Sequence, residues 1–238
     1  MNTLAGKLYL VPTPIGNMGD ITHRAVEVLR QVDLVACEDT RHSGSLLKRF
    51  GLSKKLISYY DFNEARRAQQ LLTKIKQGLS IAVITDAGSP GISDPAYRVV
   101  QAAIDGNVDI VPLPGATAII PALSASGLPT DRFFFEGFLP HKSAARRKRL
   151  EQLKQFEHTL VFYESPHRIE KSLGDMLEIL GDRQACLARE ISKLYEQFIR
   201  GSISDILAEI ASKPPKGEIV LIIEGKRATK KLNSHDSR

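Results

Sequence analysis

Two short stretches carry side chains that can move protons. CEDTRHS sets Glu38, Asp39 and Arg41 directly after the apolar run DLVAC, and YESPHR sets Glu164, His167 and Arg168 behind HTLVF. Carboxylates and an imidazole at the ends of apolar runs suit general acid–base work, which needs a group of matched pKa within hydrogen-bond reach of the proton it takes. Asp39, Arg41 and His167 are the candidate catalytic residues, with Glu190 and Lys193 of REISK as further polar neighbours. Each has a plain structural reading too. Asp39 and Arg41 make an ordinary loop ion pair, worth little energetically, and His167 a first-turn helix residue beside Pro166.

Three loops could hold a ligand: PTPIGNMGD at 12–20, TDAGSPGISDPA at 85–96 and PGATA at 114–118. Glycine lets backbone approach a ligand closely, and proline fixes a loop at low entropic cost. The pattern is that of a preorganised backbone cradle. Neither GxxxxGK[ST] nor GxGxxG is present, so P-loop and dinucleotide sites are not expected. Spacing alone goes no further than a small-molecule site.

The segment HKSAARRKRL is dense in cations. On a helix, Lys142, Arg146 and Arg149 share a side with Leu150, Leu153 and Phe156. The apolar half should dock while the basic half overhangs a groove, or the helix starts later and leaves the cations in a mobile loop; either form offers Lys142, Arg146, Arg147, Lys148 and Arg149 to phosphates. Five neutralised phosphates on a single strand would give a log–log salt slope of about −3.5. Lys and Arg total 33 against 27 Asp and Glu, a net charge of +6 that favours a polyanionic partner.

These groups need a frame. Apolar runs at 7–11, 33–37, 56–60, 80–84 and 108–113 alternate with helix-period segments at 22–31, 43–50, 63–77 and 95–105, the rhythm of a parallel βαβ sheet. Asp94-Pro95 reads as an N-cap and first helical residue, and Gly51, Gly78 and Gly106 as helix C-termini. In such sheets ligands bind beyond the carboxyl ends of the strands, where the three loops begin.

After about residue 118 a second α/β region is expected. It has strands in RFFFEGFL, HTLVFYE, QACLARE and GEIVLIIEG, and helices near 142–156, 167–180 and 203–211. The expected division is 1–115 for a first α/β domain with the glycine- and proline-rich loops, 118–225 for a second, and 226–238 for a basic disordered tail. Phe133, Phe134, Phe135 and Phe138 read as core strand rather than as a stacking platform.

Several function classes are disfavoured. No apolar run approaches the roughly 18 residues of a membrane span, and no signal peptide is evident, so a cytoplasmic protein is expected. Cys37 and Cys186 lie in apolar runs as small buried hydrophobes. Scattered histidines argue against structural or catalytic metal.

The strand leading into PTPIGN, the DAGSPGISDP loop, PGATA with ALSASG behind it, EGFLP, FYESPHR and the closing GEIVLIIEG together resemble the ribosomal RNA small subunit methyltransferase I family of the tetrapyrrole methylase superfamily. The resemblance implies a two-domain α/β fold of the class III methyltransferases, S-adenosylmethionine held between the domains, and a homodimer. It implies 2′-O-methylation of a cytidine ribose at the decoding site of 16S ribosomal RNA, on free RNA or on the assembled small subunit. Carried onto this chain, the cofactor contacts are Pro12, Ala87, Gly88, Ser89, Ile92, Thr117, Ala118, Tyr163 and Glu164. Ser89 stands where relatives carry aspartate, with Asp86 and Asp94 flanking it, so no carboxylate contact is expected from that position. A methylase of tetrapyrroles or other small molecules, and a non-catalytic RNA-binding assembly factor, remain alternatives on the same fold.

Overall fold

The computed structural model describes residues 6–60 and 62–226. The chain divides into two compact units, Met1–Ala118 and Ile119–Arg238. The tail expected at 226–238 lies, past Lys226, outside the described residues.

The first unit holds strands β1 (Leu8–Leu10), β2 (Leu34–Cys37), β3 (Lys55–Ser58), β4 (Ile81–Val83) and β5 (Ile110–Pro112), with helices α1 (His23–Gln31), α2 (Thr40–Arg49), α3 (Glu64–Lys76) and α4 (Tyr97–Asp105). The strands form one parallel sheet in the order β3-β2-β4-β1-β5. All residues of β2 and β4 are buried, as parallel strands covered by helices on both faces must be. Side chains alternate between the two layers. Leu34, Ala36, Ile81 and Val83 pack with α3 and α4, whereas Val35, Cys37 and Ala82 pack with α1 and α2.

The reading of Asp94-Pro95 as the start of α4 is not met. The helix begins two residues later, and Ala96 at its N-cap supplies no side-chain bond. The open N–H groups are instead taken from a distant loop: Arg98 N donates to Glu64 Oε1 at 3.1 Å and Val99 N to Tyr59 Oη at 3.2 Å. Gly106 also departs from expectation. Its φ is −83°, and the left-handed turn falls on Asn107 at φ 53°. Space explains that glycine, since a Cβ there would lie 2.6 Å from Leu72 Cδ1.

The second unit contains α5 (Ile119–Ser124), β6 (Phe133–Phe138), α6 (Ser143–Leu153), β7 (Thr159–Glu164), α7 (Ile169–Leu180), β8 (Gln184–Arg189), β9 (Gln197–Ser202), α8 (Ile203–Ser212) and β10 (Ile219–Ile223). Its sheet runs β6-β7-β10-β8-β9, parallel between β6 and β7 and antiparallel elsewhere. Leu150 and Leu153 of α6 join α7, α8 and one face of the sheet in a single core. Helix α5 and strand β9 were not expected. Strand β9 is an edge strand that buries only Ile199, too little apolar pattern to mark it in a sequence.

Candidate functional site

In the first unit, β1 lies between β4 and β5, so the three glycine- and proline-rich loops leave adjacent strand ends. They are tied mainly through backbone. Thr13 and Gly88 exchange both main-chain hydrogen bonds, at 2.9 and 3.0 Å. The buried Thr13 hydroxyl donates to Thr85 O at 3.0 Å, and Thr85 Oγ1 donates to Gly88 O at 3.2 Å. Ser89 Oγ closes the third side by donating to Ala116 O at 3.1 Å. Each such bond contributes about 1 kcal/mol net, so the set fixes one shape.

Two glycines make that shape possible. Gly88 has φ +86°, and a Cβ on Gly115 would fall 2.6 Å from Pro12 Cβ. Pro12, an expected cofactor contact, is therefore a buried wall against which Gly115 packs. Among the described residues, the N–H groups of Ala87 and Ser89 make no hydrogen bond. Unpartnered donors on a rigid loop are available to a ligand's oxygen or nitrogen acceptors. Ile92 follows in a turn, its N–H on Ser89 O at 3.3 Å and its side chain partly exposed. Thr117 and Ala118 end the unit, both half-buried.

The loop after β2 joins the same edge. Asp39 caps α2, accepting from Arg41 N at 2.7 Å and His42 N at 3.3 Å through one carboxylate oxygen. Those two backbone bonds hold its carboxyl below the usual carboxylate range. Arg41 pairs loosely with Asp39 at 3.6 Å and is almost fully exposed. His42 was not singled out from the sequence, yet its Nε2 lies 3.1 Å from Asp86 O, joining the β2 and β4 loops. Its place in the first turn after a capping aspartate was the available signal.

The remaining candidates belong to the second unit. Glu164 is buried and occupied: it accepts from Ser172 Oγ at 2.5 Å and Ser165 N at 2.8 Å, with Arg168 Nε 3.4 Å away. Arg168 continues to Leu139 O at 2.7 Å and His141 Nδ1 at 3.2 Å, bracing the ends of β6 and β7. This is a structural clamp and leaves no free carboxylate for a cofactor. Tyr163 packs edge-on to Phe135 with centroids 5.0 Å apart. His167 is exposed, and its ring makes no hydrogen bond among the described residues.

The basic helix departs from the expected overhang. Arg146 is buried, its Nη2 2.6 Å from Asp175 Oδ2. Arg147 bridges Asp175 at 2.8 Å and Glu178 at 2.6 Å, and Arg149 grips Glu136 through two bonds of 2.6 and 2.7 Å. The reason is positional. The side of α6 that carries Leu150 faces α7, and Asp175 waits there to neutralise the arginine carried in with the leucines. Lys142 and Lys148 alone of the five are exposed with no carboxylate partner among the described residues.

Residues 7–207 match the family model of the Tetrapyrrole (Corrin/Porphyrin) Methylases. The chain is 50% identical over 221 residues to Ribosomal RNA small subunit methyltransferase I of Synechocystis sp., covering 92% of this chain and 79% of that protein. It is 51% identical over 223 residues to the protein of the same name from Vibrio cholerae, covering 92% and 77%. A crystal structure of diphthine synthase superposes with a TM-score of 0.72 at 14% identity, over 94% of this chain and 92% of that one. At that identity it shows a shared class III methyltransferase fold alone. The chain belongs to the ribosomal RNA small subunit methyltransferase I family of the tetrapyrrole methylases.

Proposed function

We propose that this protein transfers a methyl group from S-adenosylmethionine to small-subunit ribosomal RNA, at the 2′-oxygen of a cytidine ribose in the decoding site, and that it acts as a cytoplasmic homodimer. The observation that carries the reading is the backbone cradle around Gly88 in a chain half identical to methyltransferases named for that RNA. The cradle suits the cofactor: its free Ala87 and Ser89 N–H groups and close glycine backbone fit a ligand rich in hydrogen-bond acceptors. When bound, the cofactor supplies a methyl group already activated on a sulfonium centre.

The chain's own residues must then orient the ribose and accept its proton. Orientation can contribute about 7–11 kcal/mol to such a reaction. We assign proton acceptance to His167, whose imidazole is exposed and makes no hydrogen bond among the described residues. Asp39 is the poorer base, because α2 already uses its carboxylate. Arg41 extends from the same turn as a phosphate contact. Lys142 and Lys148 serve as further phosphate contacts, whereas Arg146, Arg147 and Arg149 hold the helix in place.

Methyl transfer from labelled S-adenosylmethionine to small subunits and to free small-subunit RNA lacking the modification tests the proposal. One ribose protected from alkaline cleavage is the expected product. Cofactor binding without incorporation into either substrate would overturn it.

A further inference from the structure

At the carboxyl edge of the first sheet, away from the cradle, three aromatic rings stand in solvent. Phe62 is 97% exposed, Tyr97 67% and Tyr60 39%. They come from two segments, the β3–α3 loop and the first residue of α4. Those segments are fixed to each other. Glu64 accepts both the Tyr59 hydroxyl at 2.9 Å and Arg98 N at 3.1 Å, and the Tyr59 hydroxyl oxygen accepts from Val99 N at 3.2 Å. Burial and the Glu64 bond push the Tyr59 phenol well above its ordinary range, so it stays a neutral donor. The loop that carries Phe62 is thus anchored at its base while its ring stays bare. Tyr60 meets Phe62 edge-on, with centroids 6.4 Å apart.

Two guanidinium groups flank the rings. Arg66 and Arg98 are exposed, and neither has a carboxylate within ion-pair distance among the described residues. The nearby carboxylate of Glu64 is spent on the end of α4. Bare rings beside guanidinium groups that have no carboxylate partner among the described residues suit unpaired nucleotides, whose bases stack on the rings while phosphates meet the cations.

We propose that Tyr60, Phe62 and Tyr97, with Arg66 and Arg98, form a stacking platform for single-stranded RNA. The inference rests on the RNA methyltransferase reading and deepens it. The platform shares the sheet edge with the cradle, two strand spacings from β4 and three from β1 to β3, or about 10–15 Å. It would therefore hold nucleotides neighbouring the one that is methylated.

Binding of a labelled single-stranded RNA of about 12 nucleotides, a length within single-strand site sizes, tests this by fluorescence anisotropy. Phe62→Ala and Tyr97→Ala should each weaken binding about 5- to 150-fold, the range for loss of one stacked base. Phe62→Trp should retain it, and Arg66→Gln with Arg98→Gln should flatten the salt dependence. Melting temperature and S-adenosylmethionine affinity should stay at wild-type values in all of them. Unchanged RNA affinity in the alanine variants would overturn the platform. So would a change of oligomeric state in sedimentation without loss of RNA affinity, which would give the face to a second copy. If wild-type protein binds the RNA with this ring dependence yet methylates no ribosomal RNA, the platform stands and the proposed reaction falls.

Discussion

Arg146 of α6 and Asp175 of α7 form an ion pair at 2.6 Å whose side chains are 6% and 11% exposed. Four of the five cations of HKSAARRKRL lie on α6, yet only Lys148 among those four extends free into solvent among the described residues. A buried pair of this kind is costly to break from one side, because the remaining charge is stranded. Asp175→Ala should lower unfolding free energy by about 3–5 kcal/mol, as read by urea denaturation, while Lys148→Ala should leave it unchanged.

The same pair sets an acid response. Burial alone would raise the Asp175 carboxyl, but hydrogen bonds from Arg147 and Arg146 outweigh it and hold the group below its ordinary value. A carboxyl depressed on folding stabilises the protein above its unfolded pKa, about 3.9, and loses that contribution as pH falls through the lower folded value. The stability gap between wild type and Asp175→Asn should therefore be full at neutral pH and shrink steadily below about pH 4. A gap independent of pH would contradict this account.

Asp39 separates a cap from a base. Asparagine caps a helix about as well as aspartate, whereas alanine costs roughly 0.5–2 kcal/mol. Asp39→Asn should keep both stability and methyl transfer near wild type, and Asp39→Ala should lower the melting temperature. Loss of transfer in the asparagine variant with the fold intact would return the base role to Asp39. His167→Ala should reduce the rate about 100- to 10,000-fold, the ordinary contribution of a general base, with cofactor affinity unchanged.

The cradle is tested at its two constrained positions. Gly88→Ala places a side chain at φ +86°, a conformation that costs about 1–2 kcal/mol for an L residue. Gly115→Ala must displace Pro12. Both should weaken S-adenosylmethionine binding in calorimetry with modest loss of thermal stability, whereas Ser89→Ala should cost only its bond to Ala116 O.

Salt dependence tests the two lysines. With Lys142 and Lys148 as the phosphate contacts on this segment, their joint change to glutamine should reduce the single-strand RNA salt slope by about 1.4. Arg147→Gln should move the slope much less, since Asp175 and Glu178 already satisfy that guanidinium.

The first unit was legible because its central strands β2 and β4 are buried apolar runs and its helices carry a 3.6-residue apolar period, whereas the edge strand β3, Lys55–Ser58, is only partly buried and falls short of the run 56–60. Helix α4 was misread at its start because its caps, Glu64 and Tyr59, come from more than thirty residues away. Local pattern carries no trace of such a partner. The basic helix was misread for the same reason: Arg146 is polar by type, but Asp175, 29 residues on, makes its burial tolerable. Glu164 followed suit, its carboxylate taken by Ser172 and Arg168. The cradle loops were visible because glycine and proline announce backbone geometry within a few residues. The exposed rings near Phe62 are not marked in the sequence, because the apolar run 56–60 takes Tyr60 into a strand, whereas β3 ends at Ser58 and leaves Tyr60 and Phe62 exposed.

The reciprocal Thr13–Gly88 main-chain bonds mean that much of the cradle's shape is written in atoms every amino acid shares. A saturation library across 86–89 and 115–117 should accordingly give an uneven tolerance map, permissive in most columns and nearly blank at 88 and 115. With the cradle as the proposed cofactor site, drift can respell its tolerant columns, so diverging descendants change what they methylate before they lose the donor.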